Sequence, residues 1–114
     1  MMLAGLLGFG GADRMMRTPD EALDAVGVAL PAFTAIDAVT GEDGRAALAV
    51  TADRRVAVVR VRGSRVSGRE VTWPMLRQTI EGIVVETGDR RLGDVTLVGV
   101  TALDVRRLGQ MVAA

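Results

Sequence analysis

The sequence predicts an α+β domain of mostly antiparallel strands framed by two helices. Three observations carry this: an apolar hairpin at the centre, a second hairpin near residue 90, and helix-start signals on either side of them. The central stretch is 46–62, AALAVTADRRVAVVRVR, two apolar runs around the polar turn Thr51-Ala52-Asp53-Arg54-Arg55. Setting Leu48 opposite Val59, Val50 opposite Ala57 and Ala46 opposite Val61 gives one wholly apolar face, since strand side chains alternate. The other face then pairs Ala49 with Val58, Ala47 with Arg60 and Arg45 with Arg62, grading from apolar to basic. A two-residue and a four-residue loop both fit this register.

The 114 residues suit one domain with a modest core. That core must come from aliphatic side chains, because Phe9, Phe33 and Trp73 are the only aromatics. The chain has no cysteine and no histidine. This removes disulfides, thiolate metal sites and the commonest general base, and no cofactor is expected. The lack of cysteine fits a cytoplasmic protein. All 14 basic residues are arginine, a usage that suits a GC-rich genome.

Taken in order, residues 1–17 form an apolar, glycine-rich arm. The arm has no basic leading segment, and its apolar run falls short of the ~20 residues that span a bilayer. Its glycines lack the spacing of a nucleotide loop. Leu3, Leu6, Leu7 and Phe9 are costly to leave in water and are expected to bury against this domain, a second subunit or a membrane surface. The domain proper is expected over 18–114. Thr18-Pro19-Asp20-Glu21 is a capping box with proline at the first helical position, in which Glu21 reaches back to Thr18. Ala22, Leu23, Val26 and Leu30 then line one helix face, and Pro31 ends the helix.

Residues 32–40 read as a strand with Ile36, Ala38 and Thr40 on one side. After the central hairpin, 63–68 reads as a polar turn and 69–73 as a short strand stopped by Pro74. Trp73 is expected to plug the core or, if exposed, to contact a partner. Residues 75–82 read as irregular or one helical turn. Residues 83–87 and 94–100 form the second hairpin, with Val85 opposite Val95 and Ile83 opposite Leu97. Gly99 either weakens its strand or admits a close neighbour. A last helix is expected from Thr101 to about Val112, capped by Thr101 and Asp104, with Val105, Leu108 and Val112 as its apolar stripe. About six strands result.

The segment LAVTADRRVAVVRVRG, with Val50, Thr51, Asp53, Arg54, Arg55 and Val56–Val59, is similar to a hairpin of bacterial PH-like domains. REVTWPMLRQTIEG resembles a following stretch of the same domains, and Ala102–Val112 falls where their C-terminal helix caps a strongly bent sheet. The resemblance covers about residues 18–113. It implies a PH-like half-open barrel used for binding or assembly, without implying phosphoinositide binding. The arm lies outside the family pattern, and six strands are fewer than the seven of a full PH sandwich.

Charge is unevenly placed. Residues 1–44 hold two arginines against seven acids, net −5, whereas 45–77 hold eight arginines against two acids, net +6. Residues 78–114 are net −1. The basic middle either packs beside the acidic first helix or presents Arg45, Arg60, Arg62, Arg65 and Arg69 to an anion. Catalysis is not expected: Ser64 and Ser67 have no histidine or lysine to act as base, and the carboxylates sit in turns. The expected role is a non-catalytic interaction or assembly module. Its arm (Leu3, Leu6, Leu7, Phe9), Trp73 and a sheet edge would engage another subunit, of the same or another protein. The alternative is a peripheral binder of anionic surfaces through the five arginines. Lipid headgroups are the better target there, because nucleic acid would call for an aromatic platform.

Overall fold

The computed structural model describes residues 15–109. Helix α1 (Pro19–Ala29) is followed by seven strands: β1 (Ala35–Thr40), β2 (Ala46–Thr51), β3 (Val56–Arg62), β4 (Arg65–Val71), β5 (Leu76–Gln78), β6 (Gly82–Glu86) and β7 (Asp94–Val98). Helix α2 (Ala102–Arg106) closes the described chain. The strands form two antiparallel sheets, β1-β2-β3-β4 and β5-β6-β7. The α+β class holds. The sheets do not close into a barrel.

Three layers stack through two cores. Leu48, Val50, Val56 and Val58 face the smaller sheet, meeting Ile83, Val85, Val95 and Leu97. Ala47, Ala49, Ala57, Val59 and Val61 face the other way, onto Ala22, Ala25 and Val26 of α1. Both faces of β2 are therefore buried, all six residues of it. The division of side chains has a steric logic. Alanines on the helix side let α1 approach closely, and branched residues fill the wider gap between sheets. Gly68 serves the same approach: a Cβ there would meet Val59 Cγ1 at 2.7 Å and the Ala29 Cβ at 3.2 Å.

The central register differs from the expected one by a single residue. Leu48 pairs with Val58, Ala49 with Ala57, and Ala46 with Arg60. The cause is the loop, which holds three residues rather than two or four. Arg54 N–H donates to the Thr51 carbonyl at 3.1 Å, Thr51 N–H to the Arg55 carbonyl at 3.0 Å, and Arg54 adopts φ +69°. This is a turn followed by a left-handed residue, which adds one residue to the returning strand. The left-handed conformation is uncommon for a side chain of this size. Arg54 is held there by its neighbours: its carbonyl accepts from Trp73 Nε1 at 3.0 Å, and its guanidinium lies 5.1 Å from the Trp73 ring centre and donates to the Leu108 carbonyl.

Other elements also depart from expectation. Residues 65–68 are strand, not turn: β4 starts at Arg65, and the β3–β4 loop is Gly63-Ser64, with Gly63 at φ +62°. A two-residue loop with glycine first matches strand twist. Trp73 sits in a 3-10 turn, Trp73–Met75, half-buried against the inter-sheet core. Residues 76–78 are a strand, making seven in all. In β1 the pairing shifts between Ala35 and Asp37, so Ala38 faces α1 while Val39 faces the sandwich.

The helix starts follow the sequence closely. Thr18 Oγ1 accepts from Glu21 N–H, and the Glu21 carboxylate accepts from Arg17 N–H at 2.7 Å, one residue before the expected partner. Thr101 and Asp104 form a full capping box. Helix α2 is short, ending at Arg106. Val112 and the arm residues Leu3, Leu6, Leu7 and Phe9 lie outside the described residues. Met16 is buried and its N–H donates to the Gly44 carbonyl at 2.7 Å, so the packed domain begins before Thr18.

Candidate anion-binding site

The one-residue shift decides where the arginines go. Arg60 and Arg62 continue the face that carries Val56 and Val58, the face turned toward the smaller sheet. On β4, Ser67 stands opposite Arg60, Arg65 opposite Arg62, and Arg69 opposite Val58. Alternation places all five on that same face. The smaller sheet covers Val58 but stops short of the hairpin end, which leaves a concave mouth of about 470 Å³. Arg60, Arg62, Arg65, Ser67 and Arg91 line it.

Arg91 comes from the β6–β7 loop. Asp89 organises that loop: its Oδ1 accepts from Arg91 N–H at 2.7 Å and Leu92 N–H at 3.1 Å, and its Oδ2 accepts from Arg69 Nη1 at 3.1 Å. Thr87, itself buried, donates to the Gly93 carbonyl at 2.8 Å and accepts from Asp89 N–H. The Leu92 and Arg91 amides, and then Arg69, hold the Asp89 carboxyl below its usual range.

The electrostatics of the mouth are one-sided. Arg60 is half-buried, and desolvation followed by the charge of Arg62 lowers its pKa. Among the described residues no carboxylate pairs with Arg60, Arg62, Arg65 or Arg91; the ion pairs are Arg55–Glu70, Arg69–Asp89 and Arg77–Glu86. The acidic helix α1 packs on the opposite face of the sheet, so it does not neutralise these arginines. Four guanidiniums with a hydroxyl in a concavity are chemically suited to phosphate or carboxylate oxygens, which arginine's planar fork meets two at a time.

Of the five arginines singled out in the sequence, three meet here. Arg69 is engaged by Asp89. Arg45 stands in the β1–β2 turn, where its N–H donates to Asp43 Oδ1, and it does not line the mouth. Arg91 and Ser67 were missed as binding residues. No periodicity links Arg91 to β3 and β4; only the packing of one sheet on the other brings it there. Trp73 is a core-edge residue with its N–H satisfied.

Comparison with protein-family models, curated proteins and solved structures gives no match. The reading of the site therefore rests on its own geometry. Among the described residues no group of three acidic side chains is placed to hold a metal ion. Glu81 precedes β6 and Glu86 ends it, and Glu86 pairs with Arg77 at 2.9 Å. No helix among the described residues is long and apolar enough to cross a membrane.

Proposed function

We propose that this chain is a non-catalytic binding module that takes a phosphate-bearing anion in the arginine mouth. One observation carries the reading: Arg60, Arg62, Arg65 and Arg91 converge on one concavity with no carboxylate among the described residues to balance them. Gathering like charges around a half-buried arginine disfavours the fold, and such an arrangement is kept where an anion completes it. Seven antiparallel strands divided four and three, followed by a helix, also accord with a PH-like sandwich used for binding. The test is co-sedimentation with phosphatidylglycerol vesicles, run beside calorimetry with inorganic triphosphate, both over a salt series. Binding that weakens as salt rises is expected in at least one arm. Vesicle binding alone assigns a headgroup on a surface, and triphosphate binding alone assigns a free ligand. Binding in neither arm refutes the proposal.

Assembly is a second reading, supported by exposed apolar side chains away from the mouth. Ile80 is fully exposed and Leu103 half-exposed, on two segments joined by the hydrogen bond from Ala102 N–H to Gln78 Oε1 at 2.9 Å. Under this reading light scattering gives an oligomer for the full chain and a folded monomer for the variant Ile80→Ser with Leu103→Ser. A full chain that is already monomeric at every concentration counts against assembly.

A further inference from the structure

We infer that Asp89 is a positioning residue for the mouth, holding the β6–β7 loop so that Arg91 faces Arg60 and Arg65. The inference rests on the anion-binding reading and adds how the site is built. Arg91 is fixed from three sides. Its own N–H is held by Asp89 Oδ1 at 2.7 Å. The next residue, Leu92, is buried in the inter-sheet core. The preceding turn is tied to β4 by the Asp89–Arg69 pair at 3.1 Å. Arg69 lies on the same face of β4 as Arg65 and Ser67, so the ion pair fastens the loop to the strand that forms the opposite wall. The Asp89 carbonyl accepts from Gly93 N–H at 2.7 Å, and the Thr87 hydroxyl bridges to Gly93, which closes the loop on itself. An acid beside an anion site repels the ligand by charge alone. Its place here follows from its turn: both its oxygens are engaged by the loop amides and Arg69, and what it supplies is geometry.

That opposition gives a sharp experiment. Asp89→Ala removes one negative charge next to the mouth, so charge alone makes it bind anions more tightly. Loss of positioning makes it bind more weakly. Affinity for the probe that the wild type binds, inorganic triphosphate by calorimetry or phosphatidylglycerol vesicles by co-sedimentation, is measured at fixed salt for the wild type, Asp89→Ala, Arg91→Gln and the double variant. Asp89→Ala is expected to weaken binding about tenfold, the worth of one charge-assisted hydrogen bond. Arg91→Gln is expected to weaken the wild type by a similar factor and to change the Asp89→Ala variant little, since the two act as one unit. A merely structural role for Asp89 does not produce that non-additivity. Should Asp89→Ala fail to fold, Asp89→Asn keeps an acceptor for the two loop amides while losing the ion pair, and weaker binding is again expected. Equal or tighter binding by the folded Asp89 variant overturns this inference and leaves the binding reading standing. A wild type that binds neither triphosphate nor anionic vesicles overturns both.

Discussion

The double substitution Arg60→Gln with Arg62→Gln is expected to lower affinity for inorganic triphosphate, the probe of the proposed site, about 100-fold, two charge-assisted hydrogen bonds being removed together. The melting temperature is expected to hold steady or rise. Arg60 is half-buried, its pKa is lowered by desolvation and by Arg62, and no carboxylate among the described residues pairs with either. Removing the two charges therefore relieves repulsion within the folded state while breaking no ion pair. Binding and stability moving in opposite directions is the signature of a site kept for function. The control is Arg106→Gln with Arg107→Gln at the end of α2, both exposed and outside the mouth. It removes the same net charge, yet its effect on affinity is expected to stay within about threefold, because exposed charges that do not line the mouth are screened by salt. Equal losses from both pairs would show that net charge matters and the mouth does not. Calorimetry and a thermal melt on the two variants settle the point.

Among the described glycines, Gly82→Ala is expected to be the most damaging alanine substitution. Gly82 opens β6 at φ +151°, a conformation that side chains rarely adopt. A Cβ there would lie 2.0 Å from the Leu97 carbonyl oxygen, with the Gly99 nitrogen 2.9 Å away. Both neighbours are backbone, so no rotamer change can relieve the contact. The β6–β7 ladder must open at the pair Gly82–Val98, beside Ile83 and Leu97 of the inter-sheet core. A loss of about 3 kcal/mol is expected from the strained backbone. For a domain of this size that lowers the melting temperature by roughly 15 °C. Gly63→Ala is the comparison: φ is also positive, but nothing lies within 4 Å of its Cβ. Its cost is expected to be near 1 kcal/mol, from conformation alone. A Gly82→Ala protein that melts with the wild type would mean that the second sheet adjusts freely, contrary to its packing against β2 and β3.

Much of the framework was legible in the sequence because it is set by neighbours along the chain. Thr18, Pro19 and Glu21 start α1, and Thr101 with Asp104 start α2, through bonds that span three or four residues. The β6–β7 register, with Val85 opposite Val95 and Ile83 opposite Leu97, follows from alternation in two short apolar runs. Of the two readings of Gly99, a weakened strand or a close neighbour, the close neighbour is present: a Cβ there would lie 2.2 Å from the Glu42 side chain.

The central hairpin shows where such reading stops. Apolar residues stand on both faces of β2 and β3, so alternation alone could not choose between two registers one residue apart. The choice falls to the left-handed Arg54, which is held by Trp73 and Leu108, residues 19 and 54 positions away along the chain. Its consequence is carried to the other end of the hairpin, where it turns Arg60 and Arg62 toward the smaller sheet. Arg91 joins them through a loop whose place depends on Leu92 reaching the core and Asp89 reaching Arg69. The sequence by itself determined the class of fold, the helix starts, the second hairpin and the basic character of the middle segment, all properties of local patterning. Only the tertiary structure decided which face those arginines share and which loop closes over them, because both depend on one sheet packing on another, and that contact joins residues far apart in the chain.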